Sequence, residues 1–163
     1  MENRKSVIGI IGGGVDIDQT VLGVATETGK LIAGRGAILV CGGLGGVMEA
    51  ASKGAFEAGG TVIGILPAND KVGSNPYLTV AIPTGMGIAR NVLVVQTADV
   101  LIAFPGSYGT LSELGLALNT GKPVVYMPGV WNLSKAGKVD GNLFKEAFDP
   151  AHAVALALST LAR

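Results

Sequence analysis

The residues best equipped for chemistry lie in one run, Pro105-Gly106-Ser107-Tyr108-Gly109-Thr110, followed by the carboxylate of Glu113. Proline stops a strand, Gly106 and Gly109 let backbone N–H groups approach a ligand closely, and Ser107 and Thr110 add hydroxyl donors. Such a turn opening a helix is suited to holding a phosphate. Glu113 stands three residues after Thr110, the spacing of a capping box, so the spacing alone favours a helix cap. The alternative is a carboxylate facing the same pocket, able to bind sugar hydroxyls or act in acid–base chemistry. Arg90 is the other candidate. It precedes the apolar run Val92-Leu93-Val94-Val95, and its neighbours are too apolar for a freely solvated face, so we expect it to be held in a pocket for an anion.

Other chemistries are excluded by spacing. A P-loop requires a glycine five residues before Gly-Lys-Ser/Thr, whereas Gly29-Lys30 and Gly121-Lys122 continue into Leu31 and Pro123, with Gly23 and Gly115 one residue too far upstream. A dinucleotide fingerprint beginning at Gly12 and Gly14 would need a glycine where Ile17 stands. His152 is the only histidine and lies far from every glycine turn, so neither a metal cluster nor a Ser-His-Asp set can be assembled. Cys41 ends an apolar run with no histidine nearby to activate it and is expected to be a small core residue.

The elements that must position these groups alternate along the chain. Apolar runs at Val7 to Ile11, Ala37 to Cys41, Thr61 to Leu66, Leu78 to Ile82, Val100 to Phe104 and Pro123 to Met127 read as strands buried on both faces. Helices are expected over Asp18 to Ala33, Gly45 to Ala58, Gly85 to Thr97, Thr110 to Leu118 and Pro150 to Leu161, the last started by Asp149 as N-cap and Pro150 at the first helical position. The fold class is therefore α/β: a Rossmann-like, doubly wound, mainly parallel sheet in one domain over 1–163. Gly12-Gly13-Gly14, Gly42-Gly43 and Gly106 with Gly109 fall at the carboxyl ends of three strands, where open parallel sheets bind ligands. Each turn alone could merely join strand to helix. Together they would line one crevice.

Composition bounds the partners. The chain of 163 residues is 48% hydrophobic and 15% charged, against about 25% charged in typical domains. Burying the excess points to a homo-oligomer, either dimer or tetramer. Twelve basic and twelve acidic residues cancel, which leaves no electrostatic footprint for nucleic acid or an anionic membrane. One cysteine and no apolar run long enough for a leader or a span make the cytoplasm the expected compartment.

The combination of CGGLGGVMEA at 41–50, GIARN at 87–91 and PGSYGTLSE at 105–113 resembles the LOG-like superfamily, historically called lysine decarboxylases. The resemblance implies a phosphate cradle at Gly106, Ser107, Gly109 and Thr110, with Tyr108 inside it. It places the family's catalytic arginine and glutamate on Arg90 and Glu113. Enzymes of the family cleave nucleoside 5′-monophosphates to free base and ribose 5-phosphate, and no lysine here is placed to anchor pyridoxal phosphate. Two departures stand out: Ser107 replaces a motif glycine, and Asn91 replaces the lysine expected after Arg90. Chain length, SNPYLTVAIPTGMGIAR at 74–90 and GGTVIGILP at 59–67 are more similar to the compact branch that includes the molybdenum cofactor carrier proteins. The resemblance thus implies a carrier for a phosphate-bearing, nucleotide-like ligand, with the molybdenum cofactor leading. The alternative is a phosphoribohydrolase acting on a nucleoside monophosphate. A bound ligand, but no required cofactor and no metal, is expected. Whether Tyr108 and Trp131 touch the ligand or a neighbouring subunit is open at this level.

Overall fold

A computed structural model describes residues 4–128 and 140–162, so Trp131 lies outside the described residues. Seven strands form one parallel sheet: β1 (Val7–Ile11), β2 (Ile38–Cys41), β3 (Val62–Leu66), β4 (Val80–Pro83), β5 (Val100–Ala103), β6 (Val124–Tyr126) and β7 (Phe144–Glu146). The order is β4-β3-β2-β1-β5-β6-β7, and every described pairing is parallel. Chain progression therefore reverses between β1 and β5. That reversal opens the crevice in which ligands bind in doubly wound sheets.

Alternation along the strands sends side chains to both faces. Ile8, Ile10, Leu39, Cys41 and Ile102 pack beneath α1 (Gln19–Gly34), α2 (Val47–Glu57) and α5 (Pro150–Leu161). On the other face Ile11, Val40, Leu101 and Ala103 meet α3 (Asn91–Thr97) and α4 (Tyr108–Asn119). Cys41 is fully buried, as expected of a core residue, and its thiol lies 3.5 Å from the Ser52 hydroxyl. Helices α1 and α2 approach backbone to backbone. A Cβ on Gly29 would fall 2.0 Å from the Ala51 carbonyl oxygen, and one on Gly54 would fall 1.8 Å from that of Thr26. Only glycine fits at that crossing. Among the described residues, no helix is long and apolar enough to cross a membrane.

The boundaries differ from expectation for local reasons. The helix expected from Gly45 starts at Val47, because Gly46 takes φ 63°. The helix expected from Gly85 is a 3-10 turn, Gly87–Arg90, leading into α3, because Gly85 and Gly87 sit at φ 64° and 55°. The strand expected at Leu78 begins at Val80. Strand β7, with only three residues and no apolar run, was not expected at all. Asp149 does cap α5, its carboxylate accepting the His152 N–H at 2.8 Å. Asp149→Ala is expected to lower stability by about 1 kcal/mol in a denaturant titration.

Candidate functional site

Helix α4 begins at Tyr108, two residues earlier than its sequence suggests, with Ser107 as N-cap. This corrects the capping-box reading of Glu113. Thr110 is already inside the first turn, so Glu113 lies about a turn further along and cannot reach back to the N-cap. Its carboxylate accepts no hydrogen bond among the described residues and is 8% exposed. Burial pushes the Glu113 carboxyl up to about 7, against the opposing pull of the Arg90 guanidinium.

Arg90 ends the 3-10 turn and is 7% exposed, as the pocket reading expected. Its Nε donates to the Ile65 carbonyl at 2.8 Å and its Nη2 to the Gly42 carbonyl at 3.3 Å. Nη1 donates to the Asn91 side-chain oxygen. Desolvation by burial lowers the pKa of Arg90, partly offset by the charge of Glu113. Thus the guanidinium is fixed at the ends of β2 and β3, with Glu113 facing it across a cavity. Asn91, where the family motif has lysine, serves as an acceptor for that guanidinium.

This cavity has a volume of about 160 Å³ and is walled by Gly12, Gly13, Gly14, Ser107, Gly109 and Thr110, with Met48 and Ile88 beside the charged pair. Its glycine turns lock together. The Gly13 N–H donates to the Pro105 carbonyl at 3.0 Å, and the Val47 N–H donates to the Gly13 carbonyl at 2.9 Å. A second cavity of about 330 Å³ shares Gly13, Gly14 and Ser107 with the first and continues past Pro105 and Gly106 to the start of α1. The crevice therefore has two compartments, joined over the glycine turns.

Gly12, Gly13, Gly14, Gly106, Ser107, Gly109, Thr110, Arg90 and Glu113 all border this crevice. Gly42 contributes through its carbonyl and by leaving room for the guanidinium: a Cβ there would fall 2.6 Å from Arg90 Nη2 and 2.8 Å from Met48 Sδ. Gly42→Ala is expected to displace both flexible side chains, weakening anion binding by about tenfold in isothermal titration while the fold persists. Two expected residues stand elsewhere. Gly43, at φ 72°, packs against Leu66, Gly64 and Leu78, and so serves the sheet rather than the crevice. The Tyr108 side chain is 83% exposed and lines neither compartment. Val15, Asp16 and Asp18 in the larger compartment were missed, since only their closeness to Gly14 in the chain could have marked them.

Comparison with known proteins gives a consistent picture. A model of the SLOG cluster4 family matches residues 5–159. The structure of the molybdenum cofactor binding protein from Rippkaea orientalis superposes with a TM-score of 0.92 at 38% identity, covering 97% of this chain and 98% of that one. The molybdenum cofactor carrier protein of Chlamydomonas reinhardtii superposes with a TM-score of 0.89 at 40% identity, covering 98% of this chain and 100% of that one. The cytokinin riboside 5′-monophosphate phosphoribohydrolase LOG of Oryza sativa subsp. japonica is 38% identical over 94 residues, 55% of this chain and 38% of that one.

Proposed function

Because the chain belongs to the SLOG cluster4 family, we propose that it is a carrier for the molybdenum cofactor, holding the cofactor's phosphate against the start of α4. One observation carries this reading. The carriers superpose over essentially the whole of both chains while keeping 38–40% identity, whereas the sequence match to the phosphoribohydrolase, 38% identical, spans 55% of this chain and 38% of that one. The local chemistry agrees with it. The start of α4, with the Ser107 and Thr110 hydroxyls, presents donors and a partial positive charge, and Ser107 makes no side-chain cap bond. Arg90 supplies the buried positive charge behind the cavity.

In this role the chain's own residues bind and shelter rather than react. Arg90 is committed to two carbonyls and to Asn91, which fixes it as a wall of the cavity instead of a group free to follow a leaving group. One observation favours the second reading, a nucleoside 5′-monophosphate phosphoribohydrolase. A carboxyl titrating near 7 beside a phosphate site has the pKa expected of an acid–base catalyst. We also propose that the chain is cytoplasmic and forms a homo-oligomer; the exposure of Ile82, Met86, Ile88 and Val92 along one stretch of chain supports the self-association.

Incubation with AMP and other nucleoside monophosphates, with free base followed by chromatography, separates the two readings. The carrier releases no base. Release that disappears in an Arg90→Ala, Glu113→Gln double variant would overturn the carrier reading in favour of the enzyme.

A further inference from the structure

The two ends of the crevice differ in a way that would orient a ligand. At α4 the N-cap residue, Ser107, makes no side-chain cap bond and adds no negative charge. At α1 the N-terminus is capped: the Asp18 carboxylate accepts the Thr20 N–H at 2.7 Å, and that bond holds its pKa below the usual value. A helix N-terminus already neutralised by a carboxylate does not attract a second anion. Asp16 stands in the same compartment, so this end presents two carboxylates. A phosphate is repelled here and drawn to α4. A group rich in N–H donors is attracted.

Asp16 is exposed at the mouth of this compartment, and its carboxylate accepts no hydrogen bond and joins no ion pair among the described residues, unlike that of Asp18. It is also the one described non-glycine residue with positive φ, at 53°, and it follows directly on the Gly12-Gly13-Gly14 turn. Around it, Val15, Ile17, Val21 and Pro105 supply apolar surface for the faces of a flat ring. The compartment's volume of about 330 Å³, against about 160 Å³ on the Arg90 side, fits a bicyclic heterocycle next to a phosphate.

We propose that the larger compartment holds the ligand's ring system and that the Asp16 carboxylate reads its hydrogen-bonding edge, selecting a ring that offers two adjacent N–H donors. A pterin or guanine presents such an edge through its 2-amino group and ring N3–H or N1–H, and a carboxylate accepts both at once. Adenine does not: beside its amino group lies a ring nitrogen that is itself an acceptor, which would face carboxylate oxygen. Asp16 is thus a specificity-determining residue, and Arg90, Glu113 and the α4 cradle take the phosphate end whichever ring is attached. This inference rests on the phosphate-carrier reading and adds the ring class to it.

The test compares 6-hydroxymethylpterin monophosphate, GMP, AMP and inorganic phosphate by calorimetric titration, on the full chain and on Asp16→Asn. Asparagine tolerates the left-handed backbone at this position, so the turn is kept, while one acceptor becomes a donor. The unmodified protein is expected to bind the pterin phosphate and GMP at least tenfold more tightly than AMP. Asp16→Asn is expected to lose that preference, with phosphate affinity unchanged. An equal AMP affinity in the unmodified chain, or a preference that survives in Asp16→Asn, would overturn the role of Asp16 while leaving the phosphate site standing. Failure of every probe, inorganic phosphate included, would overturn the carrier reading and this inference with it.

Discussion

Replacing Glu113 with glutamine is expected to stabilise the protein at pH 8 and to change little at pH 4. The Glu113 carboxyl is buried beside Gly13 and Thr110, and burial raises it from 4.5 to about 7 in the folded chain. For an acid with a raised folded-state value, the protonated form is favoured by folding. Its contribution is fully present below pH 4.5 and is lost as pH rises through about 7. The interval corresponds to about 3 kcal/mol, or roughly 6–12 °C in melting temperature for a domain of this size. Glutamine is isosteric with the protonated acid and does not ionise, so the variant should show a flatter profile. Ligand binding follows the same titration. The neutral carboxyl donates a hydrogen bond to an anion, whereas the carboxylate repels it, so affinity for inorganic phosphate should fall by about tenfold more in the unmodified chain than in Glu113→Gln between pH 6 and 8. Comparing the two proteins cancels the ionisation of phosphate itself. Melting curves and titrations across this range check both effects, and an equal difference between the proteins at every pH would contradict them.

Gly106→Ala should remove ligand binding by at least a hundredfold, about 3 kcal/mol. A Cβ at this position would fall 2.1 Å from Thr110 Oγ1 and 2.8 Å from the Gly13 amide nitrogen. Neither neighbour is the end of a flexible chain. Thr110 is held in the first turn of α4, and the Gly13 amide is bonded to the Pro105 carbonyl. The added methyl must part the two glycine turns on which the cavity depends, at a cost of about 1–3 kcal/mol in stability. Gly109→Ala makes the useful contrast. A Cβ there meets nothing within 4 Å, so stability should stay within about 0.5 kcal/mol while the side chain intrudes on the cavity. Denaturant titration with parallel binding measurements distinguishes the two variants. Undiminished binding in Gly106→Ala would remove the turn from the site.

Much of this architecture is legible in the sequence because buried parallel strands announce themselves as apolar runs. Val7–Ile11 and Val100–Ala103 were readable for that reason, and the glycines after them mark the crevice. Short, half-exposed Phe144–Glu146 has no such signature, and its strand is set by pairing with Val124–Tyr126 rather than by its own composition. Helix starts were misjudged where glycine φ decides them. Gly46, Gly85 and Gly87 can adopt either sign of φ, and composition alone does not choose. Glu113 illustrates the same limit at the site. Its three-residue spacing from Thr110 favoured a cap, but once α4 starts at Tyr108 the identical residue faces the cavity and Arg90. The burial of Arg90 is legible because an arginine in an apolar neighbourhood must find acceptors, here the Ile65 and Gly42 carbonyls.

The most direct test of the account is to purify the unmodified chain and Gly106→Ala without oxygen from cells supplied with molybdate, and to measure molybdenum and pterin in each. The account predicts that both co-purify with the unmodified protein in equimolar amounts and that both are missing from a folded Gly106→Ala. Cofactor absent from the unmodified chain even after incubation with freshly released molybdenum cofactor, or retained equally by the variant, would contradict it.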